Sequence, residues 1–198
     1  MRLTKGDALG GLLIVLSMTE VIASTGLGTP RTLQVTATIM DAMCEVVFDT
    51  STLTFTPTVP AQFSAGATVE ILPLKMRVKC NYIRTPTVSI EGITYANNAR
   101  VFLDPPANQP GGNGVGFMVH PATMAQTRDT PPALSSFYSQ GMAGDAVQAG
   151  VQANIIPVTQ TQNPVEQVLW VGLVGVWPTT NVLAGKFKST LTITVAIP

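Results

Sequence analysis

Residues 74–80 read Leu-Lys-Met-Arg-Val-Lys-Cys, an unbroken alternation of apolar and cationic side chains. Only an extended strand can bury Leu74, Met76, Val78 and Cys80 together while leaving Lys75, Arg77 and Lys79 in water, because successive side chains point to opposite faces. Further strand-like stretches lie at residues 33–39, 45–48, 53–55, 87–90, 100–103, 115–120, 151–158, 165–177 and 187–197, those at 87–90, 100–103 and 115–120 each bounded by Pro, Gly or Asn. Thr (26) and Val (22) supply almost a quarter of the 198 residues, and their branched Cβ atoms suit a pleated surface. No long helical periodicity and no internal repeat interrupts the series. Residues 122–150 are polar and rich in small residues, and read as a loop. The chain is therefore expected to be all-β, a sandwich or barrel.

Composition removes several functions. The 11 basic and 11 acidic side chains balance, so the clustered positive charge that nucleic acid requires is absent. A hydrophobic content of 45% with zero net charge argues against disorder. One histidine and two distant cysteines are too few for a zinc site, and no residue set suggests any other metal or cofactor.

The first 23 residues read as an export signal. Arg2 and Lys5 precede an uncharged apolar run at 8–18, and Val21-Ile22-Ala23 offers a cleavage site after Ala23. Eleven apolar residues are half of the ~20 that a spanning helix needs. Export changes the meaning of Cys44 and Cys80: outside the cytosol a lone pair is read first as a disulfide. The competing reading, a catalytic thiol, needs a base, and no motif links His120 to either cysteine.

Other chemical signals are weak. Residues 111–116, Gly-Gly-Asn-Gly-Val-Gly, precede a strand and lack the Lys-Ser or Lys-Thr of a phosphate loop, so they read as a turn. His120 with Asp104 or Asp129 has no nucleophile elbow beside it and reads as an exposed residue at a strand end. Lys75, Arg77 and Lys79 read as a solvated face. Trp170 and Trp177, seven apart, fall on opposite faces of a continuous strand, so one is core. No catalytic residue is assigned.

Five features, in this order, resemble a single-domain subunit of chaperone–usher pili. They are the export signal; a Thr-rich arm leading through Val-Thr-Ala-Thr-Ile-Met-Asp-Ala-Met to Cys44; the alternating strand ending at Cys80; a glycine-led segment at 112–119; and a final strand at 185–198, with Gly185 fourteen residues from the end. Departures are Ile197 where an aromatic is usual, a terminal Pro198, and Pro30-Arg31 within the arm. The resemblance implies an immunoglobulin-like sandwich that lacks its last strand and is completed by a donor strand. It divides the chain into a signal (1–23), a donor arm (24–36) presenting Leu27, Leu33 and Val35, and a pilin domain (37–198). Gly185, Phe187, Leu191, Ile193, Val195 and Ile197 would line the groove, and a chaperone would grip Pro198. It further implies a non-enzymatic role in a surface fimbrium that supports adhesion, reached through the periplasm. The partners would be a periplasmic chaperone, an outer-membrane usher and neighbouring subunits, with a host glycan as a candidate ligand. The alternative is a secreted carbohydrate-binding sandwich using Trp177 or the Lys75/Arg77/Lys79 face.

Overall fold

The computed structural model describes residues 31–39, 44–63, 66–95, 98–105, 112–178 and 182–196. Eleven strands form two sheets. The first has the order β3 (Thr52–Phe55), β1 (Arg31–Ile39), β11 (Lys188–Ala196), β5 (Thr87–Glu91) and β9 (Ala153–Asn154). The second has the order β2 (Cys44–Phe48), β4 (Ala67–Cys80), β10 (Val165–Gly175), β8 (Val115–Pro121), β7 (Asn98–Phe102) and β6 (Thr94–Tyr95). Two short helices, α1 (Ala125–Asp129) and α2 (Leu134–Phe137), lie between β8 and β9.

The alternation at 74–80 is realised as expected. Leu74, Met76, Val78 and Cys80 are buried and Lys75, Arg77 and Lys79 are exposed. The strand begins seven residues earlier, at Ala67, and carries Pro73 in its interior. Proline is tolerated because β2 pairs only with residues 76–80 of β4, so one side of β4 at Pro73 has no neighbouring strand to receive an N–H. Between 151 and 158 the expected strand shrinks to the two residues of β9. Gln167, buried in β10, replaces a strand there: its side-chain amide accepts from Ile156 N at 2.9 Å and donates to Ile156 O at 2.7 Å.

Both faces of β10 are covered. Leu169, Val171 and Leu173 enter the main core between the sheets, and Val168, Trp170 and Val174 enter a second core on the outer side. That second core is roofed by residues 122–158, which include the stretch that reads as a polar loop. Phe137, Tyr138, Ala146 and Ile156 are its contribution, packed with Val101, Met118 and Val176. Trp170 is thus a core residue, and its Nε1–H donates to Thr127 O at 2.8 Å. Gly172 is required here. A Cβ at that position would lie 2.2 Å from the Phe137 ring, so Gly172→Ala is expected to displace the ring and lower the melting temperature, as a thermal melt would show.

Cys44 and Cys80 face each other across β2 and β4 and are bonded, with Cα atoms 4.1 Å apart. The closed loop spans 36 residues, which the loop-entropy relation converts to about 4 kcal/mol against the unfolded chain. Replacing both cysteines with serine is expected to remove about 2–5 kcal/mol in chemical denaturation. An unchanged midpoint would mean that the unfolded chain gains nothing from being opened.

Candidate functional site

The pairing pattern singles out the strand slot between β3 and β11. β1 lies in it, antiparallel to β3 and parallel to β11, with Thr32 opposite Lys188 and Ile39 opposite Val195. Every other strand pair among the described residues is antiparallel. Thr and Val are frequent in β1 and β11, the composition that a half-buried strand favours.

The floor of the slot is apolar. Phe187, Leu191, Ile193 and Val195 are all at most 3% exposed, and share one face as their spacing requires. Beneath one end run three rings in contact: Phe55 of β3 lies 5.3 Å from Phe117 of β8, which lies 5.7 Å from Phe187. These rings span from one wall of the slot to the other through the opposite sheet. Leu33 of β1, at 0% exposure, is buried in the same core as this floor.

β11 is held independently of β1. On its far side Thr192 to Ala196 pair with β5. Asp104 holds its first residues: Asp104 N donates to Lys188 O at 2.9 Å, and Thr190 Oγ1 donates to the Asp104 carboxylate at 2.9 Å. No sequence signal marks Asp104 for this role; by pattern it is only a distant candidate partner for His120.

Among the site residues expected from the sequence, Leu33, Phe187, Leu191, Ile193 and Val195 come together at the slot. Val35 takes its register position opposite Leu191. Gly185 precedes β11 in an open position, where an added Cβ would have no other atom within 4 Å. Leu27, Ile197 and Pro198, with the segment 1–30, lie outside the described residues. β1 runs without a break through position 36, the expected junction of arm and domain.

The remaining candidates separate from the slot. The cationic stripe is balanced by acids: Lys75 pairs with Glu166 at 3.5 Å, Arg77 with Asp49 at 3.3 Å, and Lys79 stands opposite Glu45. Such exposed pairs contribute at most about 1 kcal/mol each, but they cancel the field that would attract an acidic ligand. The turn at 112–114 precedes β8, with Gly112 and Gly114 at φ +78 and +83, so it is a turn and not a phosphate cradle.

His120 departs from expectation. It sits near the end of β8 as expected, but it is largely enclosed, because residues 122–158 fold back over the outer face of the sheet. Its ring lies 4.1 Å from Phe137 and its Nε2 is buried without a hydrogen-bond partner. Burial pushes its pKa down to about 4, against the opposing pulls of the Asp145 carboxylate and a hydrogen bond to the Phe137 backbone. Arg100, whose Nε donates to Ala146 O, is the cation on the neighbouring strand. The folded state therefore prefers the neutral ring. The associated stability is fully present above the unfolded value of about 6.5 and is lost as pH falls towards about 4. His120→Gln is expected to flatten the decline in melting temperature between about pH 7 and 5. An identical slope in the variant would show that His120 does not couple protons to folding.

No protein-family model and no curated protein sequence matches the chain. Solved structures do. The P pilus rod subunit PapA superposes with a TM-score of 0.54 at 14% identity, over 79% of this chain and 100% of that one. A Burkholderia pseudomallei antigen and type I fimbria protein is similar at a TM-score of 0.44 and 16% identity, over 86% of this chain and 98% of that chain. The likeness to the rod subunit establishes the fold: an all-β, immunoglobulin-like sandwich of the pilin type. The position beside β11 is filled here by a strand from the same chain.

Proposed function

We propose that this chain is a structural subunit of a bacterial surface fimbria, and that β1 is its donor strand. The observation that carries the reading is the parallel seating of β1 beside β11. The last strand of the sandwich has no following strand to pair with among the described residues, and the chain fills that place from its other end. A segment that completes its own sandwich can complete a neighbour's, because the floor it covers is the same. The pilin-type fold supports the same reading.

On assembly β1 leaves its own slot and enters the slot of the next subunit, and the vacated slot receives a strand from the subunit on the other side. Between those states the exposed floor needs cover. Each Leu, Ile or Phe left in water forfeits about 1.5–3 kcal/mol, against a total stability of ~5–15 kcal/mol. A periplasmic chaperone that lends a strand, and an outer-membrane usher that receives the complex, are the partners this exposure calls for. The signal at 1–23 directs export, and Pro198 is the end a chaperone would hold. The role is mechanical and not catalytic: Cys44 and Cys80 are bonded to each other, and His120 is enclosed by Phe137.

The test removes the strand and returns it. The chain lacking residues 1–39 is expected to aggregate when purified alone. A synthetic peptide spanning residues 31–39, in molar excess, should restore a soluble and cooperatively melting protein. The same peptide with Leu33 and Val35 changed to Thr should fail. If the truncated chain melts cooperatively at the temperature of the chain beginning at Ser24, without any peptide, β1 is not a donor strand.

A further inference from the structure

Beyond the last residue of β10 the chain exposes a tryptophan on a built support. Trp177 is 49% exposed, whereas Trp170 is 6% exposed. Its backbone N–H donates to the buried Tyr138 hydroxyl at 3.3 Å. Its indole rests on a tight two-residue turn. Ser139 and Met142 exchange both backbone hydrogen bonds, with Met142 N to Ser139 O at 2.8 Å and Ser139 N to Met142 O at 3.3 Å. Gln140 and Gly141 form the turn, at φ 51 and 83. A Cβ on Gly141 would stand 2.9 Å from both Cγ and Cδ1 of Trp177, so only glycine lets the turn close against the ring. Gln140 is the one non-glycine residue with a positive φ among the described residues, a conformation that disfavours a side chain and recurs at functional sites.

We propose that Trp177 is a stacking platform for a neutral sugar ring, with the Gln140 amide as its hydrogen-bonding neighbour. The chemistry of the surroundings selects this class. Among the described residues of the turn and the ring, Ser139, Gln140, Gly141, Met142, Trp177 and Pro178, none is ionisable, so none of these would compensate a phosphate or a carboxylate. Ser139 bonds to Met142 on one side and bridges Ala67 of β4 on the other, so it offers no free edge to extend a peptide strand. What remains is one flat apolar surface matched in size to a pyranose C–H face, on a turn whose exposed Gln140 carries an amide with two donors and an acceptor for ring hydroxyls. This site lies apart from the strand slot, and the inference does not depend on the fimbrial reading.

The two tryptophans allow a direct test in the chain beginning at Ser24. Their indole N–H resonances are followed by nuclear magnetic resonance while methyl glucoside, methyl galactoside, methyl mannoside or N-acetylglucosamine is added, with sorbitol as the ringless control. The Trp177 signal, identified by its loss in Trp177→Phe, should shift saturably with at least one of these sugars at millimolar concentration. The Trp170 signal should stay still, and sorbitol should have no effect. Trp177→Ala should lose all binding in calorimetry while keeping the parent melting temperature. Should that variant fold poorly, Gln140→Gly serves instead: it removes the amide, suits the left-handed backbone, and should weaken binding roughly fivefold, as loss of one hydrogen bond implies. A Trp177 signal unmoved by every sugar, or moved equally by sorbitol, overturns the proposal. So does a sugar-insensitive Trp177 whose replacement by Ala changes the oligomeric state, because the indole would then be a contact between copies.

Discussion

Pairing between the first and last strands is the interaction on which the sandwich depends. With β1 in place, both β3 and β11 have a neighbour and the floor of Phe187, Leu191, Ile193 and Val195 is covered. Without it, two strand edges stand unpaired over an apolar trench, which water cannot satisfy and which other chains can. The remaining elements hold the walls of the trench in place. Asp104 and β5 hold β11, the disulfide joins β2 to β4, and three phenylalanine rings tie the walls through the opposite sheet. Under the proposed function, an incoming segment would find its register already set by the pleat.

The second core gives this sandwich a rigid back. Residues 122–158 cover the outer face of β8 and β10, so the centre of the second sheet is enclosed on both sides. The same stretch carries the turn at 139–142 that supports Trp177. The burial has a chemical consequence in His120, which is held neutral because the roof excludes water from its Nε2.

What the sequence discloses follows from how its strands are solvated. β4 is legible from Leu74 onward because one face is wet, and alternation survives in the residues. Its first half is hidden by Glu70, whose carboxylate accepts hydrogen bonds from Thr56, and by Pro73, which is tolerated because β2 ends before reaching it. β10 is recognisable as a strand, yet a continuous apolar run does not say what covers its outer face, and the cover comes from a stretch that reads as polar. Ile155 and Ile156 suggest a strand. They are instead divided between the two cores, with Gln167 supplying the hydrogen bonds that a strand neighbour would have given. Of the slot, Leu33 and the odd-numbered residues of β11 are legible by period. That β1 occupies its own chain's slot, and in parallel, is not, since no local pattern records which distant strand a segment will meet.

Everything proposed for the slot requires that β1 can leave while the rest of the sandwich stands. Native-state amide hydrogen exchange measures this directly, residue by residue, under increasing denaturant. The amides of β1, and those of β11 that face it, are expected to exchange through a smaller opening of lower free energy than the amides of β4, β8 and β10. Their denaturant dependence should likewise be shallower than that of global unfolding. If the β1 amides exchange only with global unfolding, with the same free energy and the same denaturant dependence as β10, the strand is an integral part of the fold and strand exchange is contradicted.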